Sequence, residues 1–200
     1  MTRTIRRWQA TLGALTAGAL LLGTAGAAGA APDFRSVRWG MTPAAVEATE
    51  TAPLVNRQPG VLIYRVRWHG LDAFVSYHFA AGELARAVVN VQAFHPSGAA
   101  YVADYRRVQA ALTQRYGPPV AEREAHDPSR PLGPGSVWEP ALLLGDISRS
   151  TRWETERTRV ELTLKEVSHY LHFVVQLWRL PPGGGSEGAP PPAQGSTGSP

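Results

Sequence analysis

Histidines 69, 78, 95, 126, 169 and 172, two closely spaced carboxylate pairs and a set of arginines among aromatics are the groups in this sequence that could do chemistry. A zinc site needs three or four converging ligands. The histidines are scattered, and His169 and His172, three apart in an extended stretch, point to opposite faces. No metal site and no cofactor is expected. The pairs Glu122/Glu124 and Glu154/Glu156 have the two-residue spacing that sets acids side by side on a strand, as glycoside hydrolysis requires. Arg123, Arg152 and Arg157 stand among them, so exposed charges of mixed sign explain both pairs without catalysis. There is no Gly-x-Ser-x-Gly elbow and no phosphate-cradling glycine loop. Gly183 to Gly185 belong to a Pro/Gly-rich tail. No catalytic residue is assigned, and the chain is read as not an enzyme.

The groups that remain are arginines and aromatics, and their placement depends on the elements that carry them. Residues 1–30 read as a secretory signal peptide: Arg3, Arg6 and Arg7, an apolar run from Ala10 to Ala25, then small residues. Ala28-Gly29-Ala30 suits cleavage after Ala30, and Ala25-Gly26-Ala27 is the alternative. The run is too short and too glycine-rich for a transmembrane helix. The formal charge of +4 includes those three leader arginines, so 17 basic against 16 acidic residues remain, or +1, and the basic signal for nucleic acid nearly vanishes. The sequence contains no cysteine, which removes disulfides, thiol chemistry and a lipidated cysteine. From Pro181 on, the Pro/Gly/Ser/Ala composition cannot offset its ordering entropy, and a disordered tail over 181–200 is expected. One domain over 33–180 is expected, secreted or periplasmic, monomeric and without a membrane anchor.

Within it, Thr42 before Pro43 marks a helix start and Pro53 its end, with Val46 inward and Glu47 and Glu50 outward. Three alternating segments follow, Val61 to Trp68, Leu71 to Phe79 and Leu84 to Phe94, joined by His69-Gly70 and Ala81-Gly82. Tyr101, Tyr105, Val108 and Leu112 form one stripe of a second helix, from Ser97 to the stop at Gly117-Pro118. Residues 121–135 read as a loop, and Val137 to Leu144 as either a strand or a buried turn. A second meander runs from Ile147 to Arg179. The expected class is α+β: an antiparallel sheet of six to eight strands in two helix-plus-meander halves, about 33–96 and 97–180, with helices on one face.

Period-two reading puts Tyr64, Val75, Tyr77, Val89, Leu162 and Val175 in the core. On the other face it puts Arg65, Arg67, Phe74, Arg86, Tyr170, His172 and Trp178. Aromatics with arginine are the composition of binding hot spots. These seven are the candidate protein-binding residues. The alternative is a solvated face with a few large residues, or one partly covered by the 121–135 loop.

The motif Phe34-x-x-Val37-x-Trp39-Gly40-Met41-Thr42-x-x-x-Val46, followed by the meander and by Tyr101, Tyr105, Val108, Leu112, Tyr116, Gly117 and Pro119 at fixed spacing, resembles a broad group of exported bacterial proteins. These are similar to the tandem helix-plus-sheet fold of the β-lactamase-inhibitor protein and the outer-membrane assembly lipoprotein BamE. The resemblance spans about Phe34 to Leu180 and implies a non-enzymatic protein-binding module of the cell envelope, its partner an unidentified envelope or extracellular protein. A carrier of a small hydrophobic molecule or lipid, with a pocket lined by Tyr64, Tyr77, Tyr105 and Phe173, is the alternative, and an envelope hydrolase a third.

Overall fold

The structure, a computed structural model, describes residues 31–126, 138–167 and 170–182. The expected signal peptide, residues 127–135 of the expected loop, residues 136–137, residues 168–169 and the tail from 183 onward lie outside the described residues. From Pro32 the chain belongs to one compact unit.

The element order is α1 (Pro43–Thr49), β1 (Leu54–Gln58), β2 (Val61–Trp68), β3 (Leu71–Ala80), β4 (Glu83–Val91), α2 (Gly98–Tyr116), β5 (Ala121–His126), α3 (Trp138–Leu143), β6 (Ile147–Glu154), β7 (Thr158–Val167) and β8 (Tyr170–Arg179). All eight strands form one antiparallel sheet in the order β1-β2-β3-β4-β8-β7-β6-β5. The first four strands and the last four thus meet along β4 and β8. The class is α+β and mostly sheet.

Local chemistry accounts for the ends and turns. Thr42 caps α1 by accepting from the Ala45 amide, and Pro43 follows at the first helical position, where no amide hydrogen is needed. The two hairpin turns read from the sequence have positive φ at both centres, His69 +49° and Gly70 +81°, then Ala81 +51° and Gly82 +80°. That is the primed turn whose twist matches a hairpin. Ser97 occupies the N-cap of α2 in extended conformation, but its hydroxyl makes no capping bond. Gly117 ends the helix at φ +87°.

The core is continuous across both halves. Tyr101, Tyr105, Val108 and Leu112 of α2, Val46 of α1 and Leu142 of α3 join one buried cluster with Leu62, Tyr77, Val89, Leu162 and Val175. Each such aliphatic side chain contributes about 1.5–3 kcal/mol when fully removed from water. Trp39 is 7% exposed, and its indole N–H donates to Thr158 Oγ1 at 2.8 Å. The Trp39-Gly40-Met41 segment also exchanges backbone bonds with Leu84. It is therefore the way the domain begins, tied to the start of β4 and the start of β7.

The structure departs from the sequence reading in five places. Glu50 does not face outward: it is 8% exposed, takes both Arg35 nitrogens and the Tyr77 hydroxyl, and accepts from the Ala52 amide. The Leu54–Gln58 stretch is a strand, missed because every residue in it is exposed and no alternation appears. Ala121–His126 is an edge strand paired with β6, not loop, and Trp138–Leu143 is a helix. A register shift after His78 sets Phe79 opposite Leu84 and His78 opposite Arg86. Ala85, which strict alternation with Ala87 and Val89 would put in the core, is the extra residue of a bulge, and Leu84 reaches the core at 0% exposure in its place.

Candidate functional site

Alternation along eight paired strands gives the sheet a second face, and register defines its rows. One row runs His78, Arg86, Trp178, Arg159, Glu154. The next runs Ile63, Ser76, Val88, Gln176, Glu161, Arg152. A third runs Arg65, Phe74, Asn90, Val174, Thr163, Ser150, Arg123. A partial fourth holds Arg67 opposite Asp72 and, on the other half, His172 opposite Lys165.

Five of the seven predicted site residues fall in pairs with one another or beside a neighbour that fixes them. Arg65 lies opposite Phe74 in register. The Arg86 guanidinium carbon sits 5.6 Å from the Trp178 ring centroid, a cation–π arrangement, and Arg86 Nη2 donates to Gln176 Oε1. Burial lowers the Arg86 pKa, and its Nε is buried without a hydrogen-bond partner. Neighbouring His78 is held below the ordinary histidine range by burial and then by the Arg86 charge, while its Nε2 meets Ser76 Oγ at 3.0 Å. Arg67 is wide open, with Asp72 3.7 Å away. His172 is exposed and apart from the Arg86–Trp178 pair, and Tyr170 has its backbone in β8 but its side chain outside the described residues.

A shallow hollow of about 500 Å³ indents this face, lined by Val55, Asn56, Ile63, Phe74, Ser76, Asn90 and Gln92. Its walls are apolar carbons, amides and one hydroxyl. Beside it, the lower ends of β4 and β8 separate, since their pairing stops at Asn90 and Val174. A cleft of about 520 Å³ opens there, with Phe94, His95, Tyr101, Leu143, Glu166 and His172 on its walls. Asn90 and Gln92 border both.

His95 on the cleft wall leads to an arrangement behind it that the sequence reading missed. Asp104 is 3% exposed, and it bonds His95 Nε2 at 2.6 Å through one oxygen and Arg107 at 2.6 Å through the other. The signal was present: Asp104 stands inside the apolar stripe between Tyr101 and Tyr105, where an acid requires a partner. An aspartate orienting a histidine can serve proton transfer. Among the described residues that line the cleft there is no serine, threonine or cysteine.

The acid pairs considered for hydrolysis are occupied elsewhere. Glu122 accepts from Gln109 of α2, Glu124 pairs with Arg149 at 2.8 Å, and Glu154 with Arg159 at 2.9 Å. Glu156 is exposed in a hairpin turn. Among the described residues, no three histidine or acid side chains gather in a way that could hold a metal ion. Tyr64, Tyr77, Tyr105 and Phe173 are 0–2% exposed. Tyr64 meets Tyr77 edge-on at 5.7 Å, and Tyr105 stacks on Phe173 at 6.2 Å. All four are packed in the core, in contact as these two pairs. Among the described residues, no helix is long and apolar enough to cross a membrane.

Compared with known proteins, the chain matches no family model, no curated protein and no solved structure.

Proposed function

We propose that this chain is a non-enzymatic, exported protein-binding module of the bacterial cell envelope that acts through the outward face of its sheet. The observation that carries the reading is the Arg86–Trp178 contact at the middle of that face, where the two halves of the sheet join. Arginine stacked on tryptophan, partly desolvated and flanked by Phe74 on the same face, has the character of an interface anchor.

Two further observations support it. The buried residues of all three helices belong to the core on the Tyr77 side, so we read the helices as lying on that one face and the Trp178 side as uncovered by them. The strand order, four strands of each half in mirror sequence about β4 and β8, suits the tandem helix-plus-sheet fold of the β-lactamase-inhibitor protein and BamE. Export rests on the leader's arginines, apolar run and Ala-Gly-Ala ending.

The test is partner capture from envelope extract by the purified mature chain, compared with W178A and R67A. Capture is expected to be lost in W178A and weakened in R67A, with Tm within a few degrees of wild type. Capture unchanged in both folded variants would sink the reading, as would ester, glycoside or phosphate turnover by the wild type that W178A does not affect.

A further inference from the structure

Counting charge over the four outward rows changes what the near-neutral composition suggests. They hold Arg65, Arg67, Arg86, Arg123, Arg152, Arg159 and Lys165 against Asp72, Glu154 and Glu161, or seven minus three, +4. The sequence beyond residue 30 carries 17 minus 16, or +1. The remainder of the chain is therefore net −3, and the cationic charge is gathered on one face. Arg152 and Arg159 lie 3.6 and 2.9 Å from Glu154, and Arg67 has its loose pair with Asp72. Arg65 and Arg86 have no acidic partner among the described residues.

We infer that the partner segment recognised by this face is an extended acidic stretch of polypeptide, with carboxylates for Arg65 and Arg86 and an apolar side chain between them. This rests on the protein-binding reading above and adds the chemistry of the partner. Register sets the spacing. Arg65 is two strands from Asn90 in its row, and Arg86 is four residues along β4 from Asn90. At about 4.8 Å between strands and about 3.4 Å per residue, the two α-carbons are about 17 Å apart. Four to six residues of extended chain cover that span once the arginine side chains reach toward the carboxylates. An even spacing keeps both acids on the side facing the sheet. The line between the arginines passes Phe74, Ser76 and Val88, beside the hollow that Ile63 and Phe74 line. An aliphatic side chain midway between the acids lands there. The pattern is acid, x, apolar, x, acid.

The probe is a fluorescein-labelled peptide amide of sequence Gly-Glu-Ala-Leu-Ala-Glu-Gly, with Gln and Lys counterparts at both acidic positions, followed by anisotropy against the full mature chain. The Glu peptide is expected to bind at least tenfold tighter than the Gln peptide and to weaken as salt rises from 50 to 300 mM, because the contacts are screened charges. R65Q is expected to lose several-fold to tenfold in affinity and R86Q at least as much, whereas R123Q, the same charge change in the same row as Arg65 but on the far half of the sheet, keeps wild-type affinity. R65E is expected to regain affinity for the Lys peptide, which a merely unfolded variant would not do. Equal binding of Glu and Gln peptides overturns the inference, as does equal loss in R123Q and R65Q, or no binding by any peptide. Sedimentation with phosphatidylglycerol vesicles without peptide binding also overturns it, in favour of a lipid surface. If capture from extract succeeds while the peptides fail, only the acidic chemistry falls; if capture fails too, the binding face itself falls.

Discussion

The indole N–H of Trp39 and the hydroxyl of Thr158, 119 residues apart in sequence, meet in the interior at 2.8 Å. This bond ties the entry to the first helix to the first residue of β7, so the N-terminal motif closes the domain across its two halves.

T158V keeps the shape of the site but removes the acceptor, leaving a buried indole N–H without a partner. The expected cost is about 1–3 kcal/mol, read as a lower urea midpoint with unchanged m. W39A adds a cavity and is expected to cost about 3–5 kcal/mol. Equal stability of T158V and wild type would mean that the indole finds another acceptor.

Glu50 makes stability depend on acid. Burial pushes its carboxyl up, but hydrogen bonds from Arg35, Tyr77 and the Ala52 amide outweigh this and hold it below the usual carboxylate range. Because the folded value is the lower one, the pair adds stability above the unfolded value and loses it as pH falls through the folded value. Wild type is therefore expected to lose stability below about pH 4.5 more steeply than E50Q. Chemical denaturation at pH 3, 4, 5 and 7 checks it, and parallel curves would refute it.

At the alkaline end the sign reverses. Burial raises the Tyr105 phenol to about 12 and pushes Tyr77 up further, helped by the Glu50 charge. A raised folded value means stability that is present below the unfolded value near 10 and is lost as pH climbs past it. Absorbance titration at 295 nm is expected to show these phenols ionising only with unfolding, and Y105F is expected to flatten the loss.

Ala81 sits at φ +51° in the β3–β4 turn, a conformation costly for a residue with Cβ. A81G and A81N are each expected to stabilise by about 0.5–1 kcal/mol, or about 1–4 °C in Tm. G82A is expected to destabilise through backbone strain alone, since an added Cβ there meets no atom within 4 Å. Calorimetry of the three variants compares them directly.

What could be read from residues alone were features whose cause is local. Thr42-Pro43, His69-Gly70, Ala81-Gly82 and the Tyr101–Leu112 stripe each state their conformation within one or two turns of chain. Misreadings arose where the deciding partner was distant. Glu50 looked like a solvated helix-end acid because Arg35 is 15 and Tyr77 is 27 positions away. β1 and β5 are edge strands with little buried surface, so their alternation carries no hydrophobic signal.

The sequence by itself determined α1, α2 and the strands of the two meanders in their order, that their inward faces are apolar, and the alternation that sets Arg65, Phe74, Arg86 and Trp178 on the other side. It could not tell which strand of the first half would meet which of the second. Only the tertiary structure decided that β4 pairs with β8, because strand pairing is set by the closure of a whole core and not by any one segment. That pairing brings Arg86 beside Trp178, 92 positions later in the numbering, and collects onto one face a positive charge that the near-neutral composition conceals.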